Sequence, residues 1–484
     1  MQLHLNILSE EEKVRIHADS LKILAEVGVK FMSDKALDVL DANGASINRD
    51  TRVAKIPEEM VNQALNTAPK SFVLGARNPE FDFALPSTDT GYTLDGAATF
   101  AIDFMTGERR NAMTEDLVSS LRIFEEMPLA TVVWPNVLCS DTTDNYNEIR
   151  PSFTSFIHSS KHIQNELHHP EEVPFLIEGL TAILGSEDRV KERKIFSVCY
   201  CTIPPLTHDR EMCDTYLDLV QFHVPILAFP MPAAGSTGPA SLYSDTAVAN
   251  AEGLSTLVLY QMAEPGTPII LGHAAGITNF SIGTFLEGAP ETTLINAALG
   301  EMARFYGLPN TQAGCLSDAK QPGAQAIMEK TLSTLPLVLS GVDLINGIGE
   351  LDTSQLLVLE QIVVDHEIAL MCQRYKDGID VCDEKDLYAD VKGAQPGGHF
   401  LTQPGTLRYC RDKEFFRPAL CDRNTYEHWE TLGRPDLYSK AREKVEQILA
   451  GHLKNALDDD ILGKLEAIQR KADKALKSND HLEG

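Results

Sequence analysis

The sequence predicts a (β/α)8 barrel of the TIM type, and three observations carry that prediction. Eight short runs rich in β-branched and apolar residues recur through the middle of the 484-residue chain. Helical stretches separate them. Apolar strands alternating with helices imply a parallel sheet buried on both faces. They fall at 92–97, 131–138, 162–167, 195–201, 225–229, 268–273, 309–315 and 342–345. Eight such units over roughly 270 residues fit a closed barrel. An open, doubly wound sheet is the competing architecture.

The barrel core is placed at residues 86–360, between an N-terminal helical segment (1–85) and a C-terminal helical extension (361–484) packed on the barrel. In the first segment Ser9 and Glu12 form a capping box. Ile16, Leu21, Leu24 and Val27 supply an apolar face, and Gly28 suits the helix stop. A second helix is expected at 34–42, and a third from Pro57 at a first helical position. The extension reads as helices around a loop-rich stretch at 393–417. A charged amphipathic helix closes it, with Val445, Ile448, Leu449, Ile461, Leu465 and Ile468 on its apolar side.

Hydrophobic residues make up 43% and charged residues 23%, a globular composition. The formal net charge of −28 repels a phosphate backbone and an anionic membrane surface. It attracts a cationic substrate, although an acidic surface also serves solubility. No apolar run reaches the roughly 18–20 residues that span a bilayer. The first residues lack a basic stretch followed by an apolar one, so a cytoplasmic protein is expected. Nine scattered cysteines fit a reducing compartment.

A barrel of this kind carries its active site at the carboxyl ends of its strands. The residues there include Asp95, Gly96, Ala97 and Phe100; Trp134, Pro135 and Asn136; Gln164 and Glu166; and Thr202. Farther along come Phe229 and Met231; His273; Cys315 and Ser317; and Asn346, Glu350 and Asp352. This rim is aromatic and acidic and poor in cations. It suits a positively charged substrate, because an aromatic face attracts an ammonium by its quadrupole. Trp134 and Phe229 can equally be read as barrel filling.

Several motifs are absent: a Walker phosphate loop, a Gly-x-Gly-x-x-Gly after a strand, and a Gly-x-Ser-x-Gly elbow. Cys199 and Cys201 are two apart on a strand and share a face, with His208 nearby, so a zinc site is conceivable beside the plainer reading of small core residues. His168 and His169 adjoin Pro170 in an expected surface loop. Glu252 precedes an apolar stretch at 254–262 and reads either as a first-turn charge or as a buried functional carboxylate.

A more specific signal lies at 305–330. The run Phe305-Tyr306-Gly307-Leu308-Pro309, then Ala313-Gly314-Cys315, Ser317-Asp318-Ala319-Lys320 and Gln325, resembles the trimethylamine methyltransferase family. Collinear matches at 16–30, Lys161-His162, Asn250-Ala251-Glu252, Leu254-Ser255, Asp422-Arg423 and Trp429 extend the resemblance over nearly the whole chain. It implies a barrel enzyme that passes a methyl group from nitrogen to the cobalt(I) of a corrinoid (cobalamin) held by a small partner protein. No cofactor is then bound tightly in this chain, and no metal. The trimethylamine enzymes carry pyrrolysine at the end of the seventh strand, and the matching position here is read as Cys315. Members without pyrrolysine resemble demethylases of quaternary amines such as glycine betaine, proline betaine, carnitine and γ-butyrobetaine.

On that footing Asp95, Glu252 and Glu350 are expected as the catalytic carboxylates. Tyr92, Phe100 and Phe229 join Asp95 and Glu350 in holding the cation. His162, His273 and Asn346 serve as polar anchors or corrinoid approach, and Cys315 completes the set. The expected partners are a cognate corrinoid protein and a quaternary amine, with self-association compatible. Two other classes fit parts of the sequence: a zinc-dependent barrel using Cys199, Cys201 and a histidine, and a non-catalytic betaine-binding protein.

Overall fold

The fold is that of a computed structural model, which describes residues 3–96, 98–142, 147–412 and 414–476. Eight parallel strands close a barrel: β1 (Gly91–Leu94), β2 (Ala130–Val133), β3 (His162–Asn165), β4 (Phe196–Tyr200), β5 (Ile226–Ala228), β6 (Ile269–His273), β7 (Asn310–Ala313) and β8 (Leu344–Ile348). Closure is made by β8 beside β1, with Leu344 opposite Gly91, Ile345 opposite Tyr92 and Asn346 opposite Thr93. Every one of the eight expected runs overlaps a strand, with the eighth strand extending three residues past its run, and the closed order excludes the open sheet. All eight strands are buried along their whole length, which is why most of them are rich in apolar residues, although His162–Asn165 and Asn310–Ala313 bury mainly polar side chains.

Helices follow each strand, from Thr114–Glu125 after β1 to Leu359–Asp377 after β8. The helix Leu242–Ala263, after β5, is buried continuously from Asp245 to Met262. It packs against the barrel on one side and the N-terminal helices on the other, so it needs no polar face. Between strand and helix, short strands build over the carboxyl face of the barrel. Glu350–Leu351, Leu356–Leu357, Phe100–Ile102 and Arg109–Asn111 form one sheet; Ala233–Ala234, Gly276–Asn279 and Thr284–Leu286 form another.

The helix Glu10–Lys22 starts at the expected capping box, with the Ser9 amide donating to Glu12 Oε2 at 2.8 Å and the Glu12 amide to Ser9 Oγ at 3.3 Å. The second helix spans Asp34–Ala42, as expected. Pro57 caps the third, Glu58–Thr67, from just outside it. Segment 1–85 is not purely helical. Val29–Phe31, Ser46–Asn48 and Val53–Lys55 form a small sheet joined by Thr207–His208 from the loop after β4. Three-residue strands carry too little periodicity to be read from sequence. Val27 is exposed because a π-turn, Ile23–Val27, rotates it off the apolar face.

The closing segment contains two helices rather than one, Leu437–Ala450 and Asp459–Leu476, which pack on the outer helices of the barrel. No helix among the described residues is long and apolar enough to cross a membrane.

Candidate active site

A cavity of about 710 Å3 opens at the carboxyl ends of the strands. Its wall takes Asp95 and Gly96 from the end of β1, Trp134 from β2, Glu166 from β3 and Cys201 from β4. Phe229 and Met231 follow β5, Glu287 comes from the loop after β6, Ala313 and Leu316 from β7, and Asn346 and Ser354 from β8. Trp134 and Phe229 meet edge to face, with ring centroids 6.1 Å apart. Gly96 makes this possible: a Cβ there would lie 2.7 Å from the indole. Trp134 and Phe229 are thus both barrel filling and cavity wall.

Beside the two rings lies an acidic group. Asn346 Nδ2 donates to Asp95 Oδ1 at 3.1 Å. Ser354 Oγ contacts Asp95 Oδ2 and both oxygens of Glu287, the latter at 3.0 and 2.8 Å. A hydroxyl has one proton to donate, so one carboxyl of this group must carry a proton of its own. Glu287 fits that role, because burial and then the charge of Asp95 hold it well above the usual carboxyl range. Glu350 is buried, neither of its oxygens has a hydrogen-bond partner, and burial, Asp95 and Glu287 push it well up too. Burial also raises two other carboxyls of the wall, Glu166 to about 7 and Glu148 to about 8. Such a lining is short of one positive charge.

The cations nearby do not supply it. Lys330 is fully buried and saturated: Nζ is 2.8 Å from Asp365 and donates to the carbonyls of Cys315 at 2.6 Å and Gly347 at 2.9 Å. Arg150, on the cavity wall, is paired with Asp473 at 2.7 Å. His168, also on the wall, is held more neutral by burial.

Of the expected site residues, Asp95, Phe229 and Asn346 line the cavity, and Glu350 stands within electrostatic reach of Asp95. The others are elsewhere. Tyr92 does not line the cavity; its hydroxyl is buried without a hydrogen-bond partner, and burial holds it well above the usual phenol range. Phe100 lies in the sheet over the barrel mouth, where Arg109 already occupies its ring face at 3.4 Å. His162 begins β3 rather than ending it, so it sits at the opposite end of the barrel, bonded to Gly75 O and Ser197 Oγ at 2.8 Å each. His273 faces outward, and a Cβ on Gly253 of the long helix would lie 3.1 Å from its Nε2. Cys315 is fully buried outside the cavity, and burial pushes its thiol up; Ala313 and Leu316 represent β7 in the wall. Ala97, also on the expected rim, lies outside the described residues.

Glu252 is neither a first-turn charge nor a cavity residue. It lies mid-helix, accepting from Thr202 Oγ1 at 2.5 Å and the Leu206 amide at 2.7 Å, and so fixes the loop after β4. The zinc reading with a histidine also fails as stated. His208 bonds Tyr200 and Ser255 at 2.7 and 2.8 Å, on the outer side of β4.

Sequence reading missed Glu287 and Ser354. The Ser317-Asp318-Ala319-Lys320 run held the signal, because it organises them. Asp318 accepts from the amides of Glu287 and Gly288 at 2.9 and 3.0 Å and from Thr353 Oγ1 at 3.0 Å. Ser317 Oγ donates to Glu329 at 2.7 Å, and Lys320 pairs with Asp352. The motif therefore ties the loops after β6, β7 and β8 into one piece.

Comparison with known proteins adds the lineage. The family model described as trimethylamine methyltransferase matches residues 2–475. The chain is 29% identical to the trimethylamine methyltransferase of Methanosarcina barkeri, over 98% of this chain and 97% of that one. It is also 29% identical to the glycine betaine methyltransferase of Desulfitobacterium hafniense, over 96% of each. A solved monomethylamine methyltransferase of M. barkeri aligns over 96% of this chain and 92% of that chain at 10% identity and a TM-score of 0.44, too loose a likeness to bear on the site. The chain is a methyltransferase and belongs to the trimethylamine methyltransferase family.

Proposed function

We propose that this methyltransferase demethylates a quaternary amine of the betaine class, handing the methyl group to a corrinoid carried by a partner protein. One observation carries the reading. Asp95 and Glu287 share a cavity with the faces and edges of Trp134 and Phe229, and that lining lacks a free cation among the described residues.

A quaternary ammonium has no N–H to donate, so it is held by charge and by aromatic faces rather than by hydrogen bonds. Its charge is permanent, and it departs as a neutral amine when a methyl is removed. No general acid is required, and none of the buried carboxyls has to deliver a proton to nitrogen. The work left to the protein is positioning: Asp95, held by Asn346 and Ser354, fixes the charge, and the rings fix the methyls. The corrinoid supplies the nucleophile. The mouth of the barrel suits the approach of a flat, largely apolar macrocycle, because exposed Leu138, Ile203, Met231, Phe280 and Ile282 stand around it on the loops after β2, β4, β5 and β6.

The two relatives named above are equally identical to this chain, so identity does not choose between their substrates. Chemistry favours the quaternary amine. A tertiary amine needs activation before it can leave, and the position read as that of pyrrolysine is Cys315, a buried thiol outside the cavity. The test is incubation of the protein with its reduced corrinoid partner and, one at a time, glycine betaine, proline betaine, carnitine, γ-butyrobetaine and trimethylamine. Mass spectrometry then looks for the amine lacking one methyl. Product from a quaternary amine supports the reading; product from trimethylamine alone contradicts it.

A further inference from the structure

The cavity wall carries a second set of donors, away from the acidic group at Ser354. Cys199 on β4 and Cys201 just past its end are two residues apart, and their Sγ atoms are 4.0 Å apart. Glu166, just past the end of the neighbouring β3, places Oε1 3.5 Å from Cys201 Sγ. One donor atom from each of the three lies within 4.8 Å of the others. In a tetrahedral zinc site the bonds are about 2.3 Å to sulfur and about 2.0–2.2 Å to carboxylate oxygen, which puts neighbouring ligand atoms roughly 3.5–3.8 Å apart. The observed spacings reach that geometry with small side-chain shifts.

We propose that Glu166, Cys199 and Cys201 bind a thiophilic divalent ion, zinc by preference, with the fourth coordination position open to the cavity. Thiolate sulfur selects zinc over the hard cations, and three protein ligands with one open position is the arrangement of reactive rather than structural zinc. Cys201 and Glu166 are on the cavity wall, whereas Cys199 is fully buried behind them. Core packing explains two small cysteines on a strand; it does not explain why a half-buried carboxyl at the end of the neighbouring strand is turned onto them. Binding displaces the two thiol protons and any proton on Glu166, and these leave to solvent. His168 Nε2, 3.4 Å from Glu166 Oε2, is placed to orient the ligating carboxylate.

Resting on the betaine reading, the open position also supplies what the cavity otherwise lacks, an anchor for the substrate carboxylate. Arg150 is committed to Asp473, and the acidic group at Asp95 repels an anion.

The experiment uses the full chain, stripped with a chelator and titrated anaerobically with cobalt(II) alone. The expected result is saturation at one equivalent, with a thiolate-to-metal charge-transfer band and tetrahedral visible bands that zinc then displaces. Cys201→Ser, at a partly exposed position, and Cys199→Ser should each lose most of the band. Glu166→Gln should keep the band and weaken binding by roughly tenfold or more. Cys410→Ser, at an exposed site, should change nothing. Absence of the band at one equivalent, or a band that survives both Cys199→Ser and Cys201→Ser, overturns the site. Calorimetry with and without zinc then tests the anchor. Glycine betaine should bind at least about tenfold tighter to the zinc form while tetramethylammonium is indifferent; equal response of the two ligands removes that role. Metal binding without any betaine binding would leave the site standing and refute the substrate reading instead.

Discussion

Replacing Trp134 by leucine isolates the charge-sensing part of the cage. Trp134 is buried in the cavity wall, and its edge-to-face contact with Phe229 is worth about 1 kcal/mol of stability, so the variant should remain folded. Leucine keeps apolar bulk and removes the π-face. The attraction of a desolvated ammonium to an indole face is about 2 kcal/mol. At about 1.4 kcal/mol per tenfold, its loss weakens glycine betaine by about 30-fold. Some of any loss is plain packing, and 3,3-dimethylbutanoate measures that part, since it replaces the nitrogen with carbon and keeps the shape. Calorimetric Kd values for both ligands on both proteins give the difference directly. The account expects the betaine to lose about 30-fold more than this isostere, whose tert-butyl group carries no charge where the ammonium was. Equal losses would mean that Trp134 acts by shape alone, and the aromatic part of the reasoning would fall.

Neutralising the acidic group should act on the same term. Asp95→Asn should weaken quaternary ammonium binding by roughly tenfold or more, because it removes a charge in a low-dielectric wall, whereas Glu287→Gln, which replaces a carboxyl held protonated, should change it far less; calorimetry on the folded variants decides. The raised carboxyls make the free protein sensitive to pH. Glu166 is pushed up to about 7 and Glu148 to about 8, both above their unfolded value near 4.5. Their contribution to stability is fully present below that unfolded value and is lost as pH rises through the folded values. The thermal midpoint of the free protein should therefore fall between about pH 6 and about pH 8, while betaine affinity rises over the same window; a flat or rising midpoint contradicts this. Cys315→Ala should leave the methyl-transfer rate within about twofold, since the thiol is outside the cavity and burial keeps it protonated. A loss of a hundredfold would make it a participant.

The barrel was legible because eight short strand-like runs alternate with helical stretches, and most of those strands, buried on both faces, are rich in apolar and β-branched residues. What a run does not show is which of its alternate residues points inward. His273 and Leu271 share the face of β6 packed on Gly253, so a histidine at a strand end still missed the cavity. His162 failed by the other coordinate, lying at the start of its strand. The site residues that were found, Asp95, Phe229 and Asn346, lie on a strand or within one residue of its end, where direction and depth are both fixed by the barrel. Glu287 and Ser354 were out of reach of that logic. They come in on loops and added strands beyond β6 and β8, and only the tertiary contacts of Asp318 bring them to Asp95. Glu252 was correctly marked as buried in one of its two readings, but burial served the loop after β4 rather than the substrate.

The central claim is that this methyltransferase takes its methyl from a permanently charged nitrogen. The most direct measurement follows the absorbance of cobalt(I) in the reduced corrinoid partner, anaerobically, with glycine betaine and trimethylamine in parallel. The account predicts that cobalt(I) is consumed with the betaine, or with another quaternary amine in its place, and persists with trimethylamine. Consumption with trimethylamine and none with any quaternary amine would contradict it.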